Sequence, residues 1–223
     1  MSSIYDETTV AIGADAETAK IVCVFVHGRT QSPQEMIDQV VRHLDAPTTR
    51  FILPKSEGAG WYDARAIDPL TDTSKAEVKL ALDTLQHTIE CATTECPNAT
   101  LVLAGFSQGA CLSVEYVMRN GAWDGALCLF TGCRVGTTAD DLPRADMNGM
   151  PVYASCGDAD PWIPVPPFQD MVQTLIECGA RMRTEAFPGR EHCVTATECA
   201  ALNTMLDNIQ NGIHAFGALE TSS

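Results

Sequence analysis

The chain has 223 residues, 45% of them hydrophobic, and a mean hydropathy of −0.01. That suits one α/β domain able to hold its core without staples. A formal net charge of −15 argues against nucleic acid or an anionic membrane surface as partner, because both repel such a field.

Taken in chain order, short apolar runs alternate with amphipathic stretches. Strands are expected at Ile21–Val26, Phe51–Leu53, Leu101–Ala104, Ala126–Phe130, Val152–Cys156 and Met182–Phe187. Several are continuous apolar runs, as strands buried on both faces of a parallel sheet require. Helices are expected over Ser32–Leu44, Ser74–Cys91, Gln108–Arg119, Pro167–Cys178 and Val194–Ile213. Ser32 with Glu35, and Ser74 with Glu77, have the spacing of a capping box, while Asn120-Gly121 and Gly179 read as helix stops. The alternation predicts a single α/β domain over residues 1–223, with a mostly parallel, doubly wound sheet flanked by helices. Residues 1–15 and 214–223 are expected to be loosely ordered. The longest irregular stretch, Pro54–Thr73, is a candidate functional loop.

No apolar run reaches the ~20 residues a membrane span needs. Met1–Val10 is polar and acidic, unlike a signal peptide. A cytoplasmic protein without stable membrane insertion is therefore expected. The ten cysteines include no Cys-x-x-Cys pair and no zinc-ligand spacing, and several fall inside expected elements. They read as reduced, mostly buried thiols.

The chemistry concentrates at Gly105-Phe106-Ser107-Gln108-Gly109, between an apolar strand and a helix-forming stretch. A bare Gly-x-Ser-x-Gly arises by chance in roughly one chain of this length in twelve, so the flanking strand and helix carry the specificity. Together they form the nucleophile elbow of an α/β-hydrolase. The sharp turn strains the Ser backbone and lifts its hydroxyl over the sheet edge, where the helix N-terminus favours a developing anion. Such a hydroxyl needs a base and an orienting acid, which follow the Ser in the order acid, then His. Only His192 and His214 follow Ser107. His192 lies in a turn after an expected strand, whereas His214 sits near the tail, so His192 is favoured. For the acid, Asp158 and Asp160 both lie just past a strand end; position alone favours Asp160 modestly, as Pro161 stiffens its loop. The expected oxyanion hole pairs the backbone N–H of Gln108 with that of Arg29, in the turn Val26-His27-Gly28-Arg29-Thr30. His27 precedes the Ser and is read as a brace for that turn.

These residues resemble the phospholipase/carboxylesterase family, which includes the acyl-protein thioesterases. The resemblance runs from about Ile21 to His192. It rests on His27-Gly28, on Trp61-Tyr62-Asp63, on Gly105 to Gly109, on Gly157-Asp158-Ala159-Asp160-Pro161 with Ile163-Pro164, and on Gly189 with His192. It implies that the second Asp, Asp160, completes the triad. It also implies a serine carboxylesterase acting on carboxylic esters or thioesters through Ser107, His192 and Asp160, with no cofactor and no metal. A small-molecule or acylated substrate and a monomer or homodimer are expected. Trp61, Tyr62 and Trp162 are the candidate pocket residues. Arg29, Trp162 and Arg190-Glu191 depart from the family pattern and are expected to narrow or polarise the pocket if they face it. The rivals are an acyl-protein thioesterase or lysophospholipase, and a non-catalytic binding module on the same fold.

Overall fold

The computed structural model describes residue 5 and residues 7–65 and 67–217. Seven strands form one sheet in the order β1-β3-β2-β4-β5-β6-β7. They are β1 (Val10–Gly13), β2 (Ile21–Val26), β3 (Thr49–Leu53), β4 (Thr100–Phe106), β5 (Gly125–Phe130), β6 (Pro151–Gly157) and β7 (Arg181–Phe187). All neighbours pair in parallel except β1 with β3. The helices are α1 (Pro33–Gln39), α2 (Asp72–Glu95), α3 (Gln108–Asn120), α4 (Val165–Glu177) and α5 (Ala196–Gln210). This is the α/β-hydrolase architecture.

The alternation of side chains along β2 shows why both faces are covered. Ile21, Cys23 and Phe25 face a cluster containing Met36 and Ile37 of α1 and Leu202 and Met205 of α5. Val22, Val24 and Val26 face the opposite cluster, built from α2, α3 and α4 through residues such as Leu85, Leu112 and Met171. A strand with period two and both faces buried reads as one apolar run, and all six residues of β2 are fully buried. The edge strand β7 differs: it mixes half-buried and exposed positions and carries Arg183 and Glu185, charges that discourage pairing with another chain.

Several expected boundaries move. Residues 10–13 form β1, although the 1–15 stretch is polar; a four-residue edge strand is too short to show a period in sequence. Within the expected loose tail, Ala215 is buried and Asn208 donates to its carbonyl; residues 218–223 lie outside the described set. The Ser32–Leu44 helix divides into α1 and a short 3₁₀ turn, Val41–His43. Helix α2 begins earlier than expected, with Thr71 as its cap and a capping box closed by Ser74. Glu77, read as the closing acid, instead accepts the N–H of Asp63. No helix among the described residues is long and apolar enough to cross a membrane. Of the ten free thiols, seven are buried and only Cys193 is fully exposed.

Candidate active site

Ser107 sits between β4 and α3 with φ 54° and ψ −120°, a conformation that costs an ordinary residue about 1–3 kcal/mol. The surrounding packing imposes it. Its N–H donates to Phe130 O at 2.9 Å. A Cβ on Gly109 would fall against the carbonyl oxygens of Val26 and His27, and one on Gly105 would lie 2.6 Å from the Gly109 carbonyl. The two motif glycines thus let α3 approach β2 and β4 closely enough to force the turn. Gly28 plays the same part across the site, since its Cβ would come within 3.2 Å of Ser107 Cβ.

Ser107, His192 and Asp160, which lie on three different loops, form one hydrogen-bonded line. Ser107 Oγ is 2.8 Å from His192 Nε2, and His192 Nδ1 is 2.7 Å from Asp160 Oδ2. Asp160 Oδ1 accepts the N–H groups of Trp162 and Ile163 at 2.8 and 3.0 Å. Burial alone would raise the Asp160 carboxyl, but bonds from His192 and from those N–H groups hold its pKa below the ordinary carboxylate value. Asp158 has a different partner: its Oδ1 accepts the N–H of Gly189 at 2.5 Å and shapes the turn before His192. His214 is not in the site; its Nδ1 accepts the N–H of Phe216. The Phe106 ring packs against the His192 imidazole, with centroids 5.0 Å apart.

The turn carrying Arg29 is braced by a set of neutral hydrogen bonds besides those of the Arg29 guanidinium. His27 Nδ1 donates to Gly28 O at 2.7 Å, and Nε2 accepts the N–H of Ser56 at 3.1 Å. Trp61 Nε1 donates to His27 O at 2.8 Å. Gln108 closes the network, accepting the N–H of Trp61 at 2.9 Å and donating to Tyr62 O at 2.8 Å. Burial pushes the His27 pKa down. The N–H groups of Arg29 and Gln108 meet no protein acceptor among the described residues. That of Gln108 belongs to the first turn of α3, where backbone donors have no intrahelical partner.

Above Ser107 lies a cleft of about 420 Å³ at the C-terminal ends of the strands, where open α/β sheets bind their ligands. Tyr62 and Trp162 line it, together with Ile67, Phe106 and Ile163. Trp162 is 64% exposed at the rim. Two sequence expectations change here. Trp61 does not line the cleft; it is buried below the loop, its ring 5.0 Å from that of His27. Arg190 does not polarise the cleft, because its side chain turns inward and is buried. Its Nη2 donates to Thr131 Oγ1 at 2.7 Å and lies 3.5 Å from Glu198 Oε1, while Nη1 donates to the carbonyls of Glu191 and Cys193. Glu198, fully buried, also accepts Ser155 Oγ. Neither the Gln108 clamp nor the Arg190–Glu198 pair stood out in sequence; Glu198 three residues after Thr195, a capping-box spacing, was the one available signal.

Fold and site together define a hydrolase of the α/β-hydrolase class. The profile of the phospholipase/carboxylesterase family matches residues 7–210, and the chain belongs to that family. It is 24% identical to acyl-protein thioesterase 1 of Cryptococcus neoformans, over 86% of this chain and 92% of that protein. Among solved structures, a phospholipase/carboxylesterase from Dyadobacter fermentans superposes with a TM-score of 0.81 and 25% identity, covering 92% of this chain and 99% of that one. Esterase PE8 superposes with a TM-score of 0.75 and 21% identity, covering 91% of this chain and 98% of that one.

Proposed function

We propose that the protein is a serine carboxylesterase that cleaves carboxylic esters or thioesters through an acyl-enzyme on Ser107. The observation that carries this reading is the unbroken line from Ser107 Oγ through His192 to Asp160, set beside two backbone N–H groups without a protein acceptor among the described residues. Ser107 Oγ attacks the substrate carbonyl carbon while His192 Nε2 takes the hydroxyl proton. Asp160 holds Nδ1–H toward itself and stabilises the imidazolium, a role for which a carboxylate that stays ionised is suited. The N–H groups of Gln108 and Arg29 receive the oxyanion. His192 then returns its proton to the departing alkoxide or thiolate. Water, deprotonated by the same imidazole, releases the acid from Ser107. Every step uses side chains and backbone of this chain alone.

Hydrolysis of p-nitrophenyl esters from acetate to palmitate, by wild type and Ser107→Ala in parallel, tests the reading. The substitution should lower kcat/KM by about 10⁴–10⁶-fold, and the preferred chain length should report the depth of the cleft. Equal rates for both proteins on every ester would sink it and favour a binding module on the same fold.

A further inference from the structure

The lining of the cleft above Ser107 differs in charge composition from the rest of the chain. Asp and Glu outnumber Lys and Arg by 29 to 14 overall. Yet among the described residues lining the cleft there is no Asp or Glu, while Arg29 and Arg65 both stand on its wall. The two are not equivalent. Arg65 has a side chain 68% exposed and is paired with Asp68 at 2.7 Å, so its charge is largely neutralised and screened.

Arg29 is half-buried and faces no carboxylate. Its Nη2 donates to Tyr62 O at 2.9 Å and to Ala64 O at 2.6 Å, and its stem packs beside Gly60, whose Cβ would come within 3.2 Å of Arg29 Cγ. Two neutral carbonyls fix the guanidinium without cancelling its charge. Nε and Nη1 have no protein acceptor among the described residues. A planar cation held in place with donors to spare is preorganised for a carboxylate or a similar oxyanion.

We propose that the Arg29 side chain recognises an anionic group on the substrate, so that the esters cleaved at Ser107 carry a carboxylate or comparable anion on their acyl or their alcohol half. The proposal rests on the esterase reading above and adds the substrate class. Tyr62, Ile67, Phe106 and Ile163 supply an apolar surface for the hydrocarbon between the anion and the scissile carbonyl. Asp63, between the Tyr62 and Ala64 carbonyls, is exposed and does not line the cleft, and Asp160 is engaged by His192 and two N–H groups; charges farther than about 8 Å are largely screened at physiological ionic strength.

The test uses two matched pairs. For the acyl half, mono-p-nitrophenyl glutarate is compared with p-nitrophenyl pentanoate; for the alcohol half, 4-acetoxybenzoate is compared with phenyl acetate. The quantity read is kcat/KM for the anionic ester divided by that for its neutral partner. In wild type against Arg29→Gln this preference should fall about tenfold or more in one arm, and that arm identifies the half bearing the anion. Division by the neutral ester cancels damage to the nearby oxyanion turn. Wild type alone gives a second reading that survives misfolding of the variant: the preference should shrink several-fold as salt rises from about 0.05 to 0.5 M. A preference unmoved by both the substitution and salt would reduce Arg29 to a loop brace and leave the esterase reading intact. Failure of wild type to cleave even the neutral esters would overturn both.

Discussion

The two walls of the Ser107 site are stiffened by different physics. On one side, His27, Trp61 and Gln108 lock the Arg29 turn to the 54–65 loop through neutral hydrogen bonds, many of them to backbone groups. On the other side, the loop bearing His192 is tied to helix α5 by a buried charge pair, Arg190 with Glu198. The difference teaches where each device is tolerated. On the first wall the Arg29 guanidinium is fixed by two neutral carbonyls and keeps its charge for the cleft. On the second the Arg190 charge lies behind the histidine and faces away from the cleft, with its carboxylate partner fully buried beside it.

The charged wall should be the more fragile. Arg190→Met leaves the Glu198 carboxylate buried without its cation, a change that costs about 3–5 kcal/mol, readable in urea unfolding. Ester hydrolysis should fall with it, because the carbonyls of Glu191 and Cys193 lose the donor that places His192. Adding Glu198→Gln to that variant should recover much of the stability, since the uncompensated charge is gone. A loss under about 1 kcal/mol for Arg190→Met would mean that the pair does not hold this wall.

The neutral wall should yield less. Gln108→Leu strands the buried N–H of Trp61 and removes one of two donors to the Tyr62 carbonyl, which Arg29 still serves; the cost is about 2 kcal/mol, and the backbone N–H proposed for the oxyanion is kept. Because the turn loosens, kcat should fall more than KM rises. Intact kcat in that variant would show that the clamp serves folding alone.

His27 makes the same wall sensitive to acid. In the folded protein its Nε2 accepts the Ser56 N–H, so a second proton would set one donor against another. Burial lowers its folded pKa below the ordinary 6.5, outweighing the Gly28 bond and Glu35, which act upward; Lys55 acts with burial. The unfolded chain therefore binds the extra proton first as pH falls. The stability that His27 contributes is fully present above pH 6.5 and is lost as pH drops toward the folded value. Unfolding of wild type and His27→Gln across about pH 5 to 8 should show the gap between them narrowing toward acid. A gap independent of pH would break the account.

The legible parts of the molecule were those where a local pattern has one physical solution. Residues 101–110 read as strand, turn and helix because only glycine fits beside β2 and within the elbow. The choice of Asp160 over Asp158 was weak from position, since both follow β6. The structure separates them by partner, giving Asp158 to the Gly189 N–H and Asp160 to His192. Trp61 was misjudged because an aromatic in a long loop looks alike in sequence whether it lines a cleft or packs under it. Arg190 is not legible in sequence because its partner, Glu198, lies in another element, and the Thr195–Glu198 spacing signals a helix start rather than a buried pair.

The smallest effect should come from the one large apolar side chain exposed at the rim of the cleft. Trp162 is held by its backbone, whose N–H donates to Asp160, while the residue as a whole stands exposed. Trp162→Ala keeps that N–H, so stability should change by no more than about 0.5 kcal/mol and hydrolysis of acetate esters should be nearly unaltered. Esters with longer acyl or alcohol chains would lose the apolar surface the indole offers, raising KM about three- to tenfold with kcat little changed, the pattern of a lost contact made equally in ground and transition states. A drop in kcat on acetate would mean instead that the indole steadies the Asp160 loop, and that the charged wall extends to the rim.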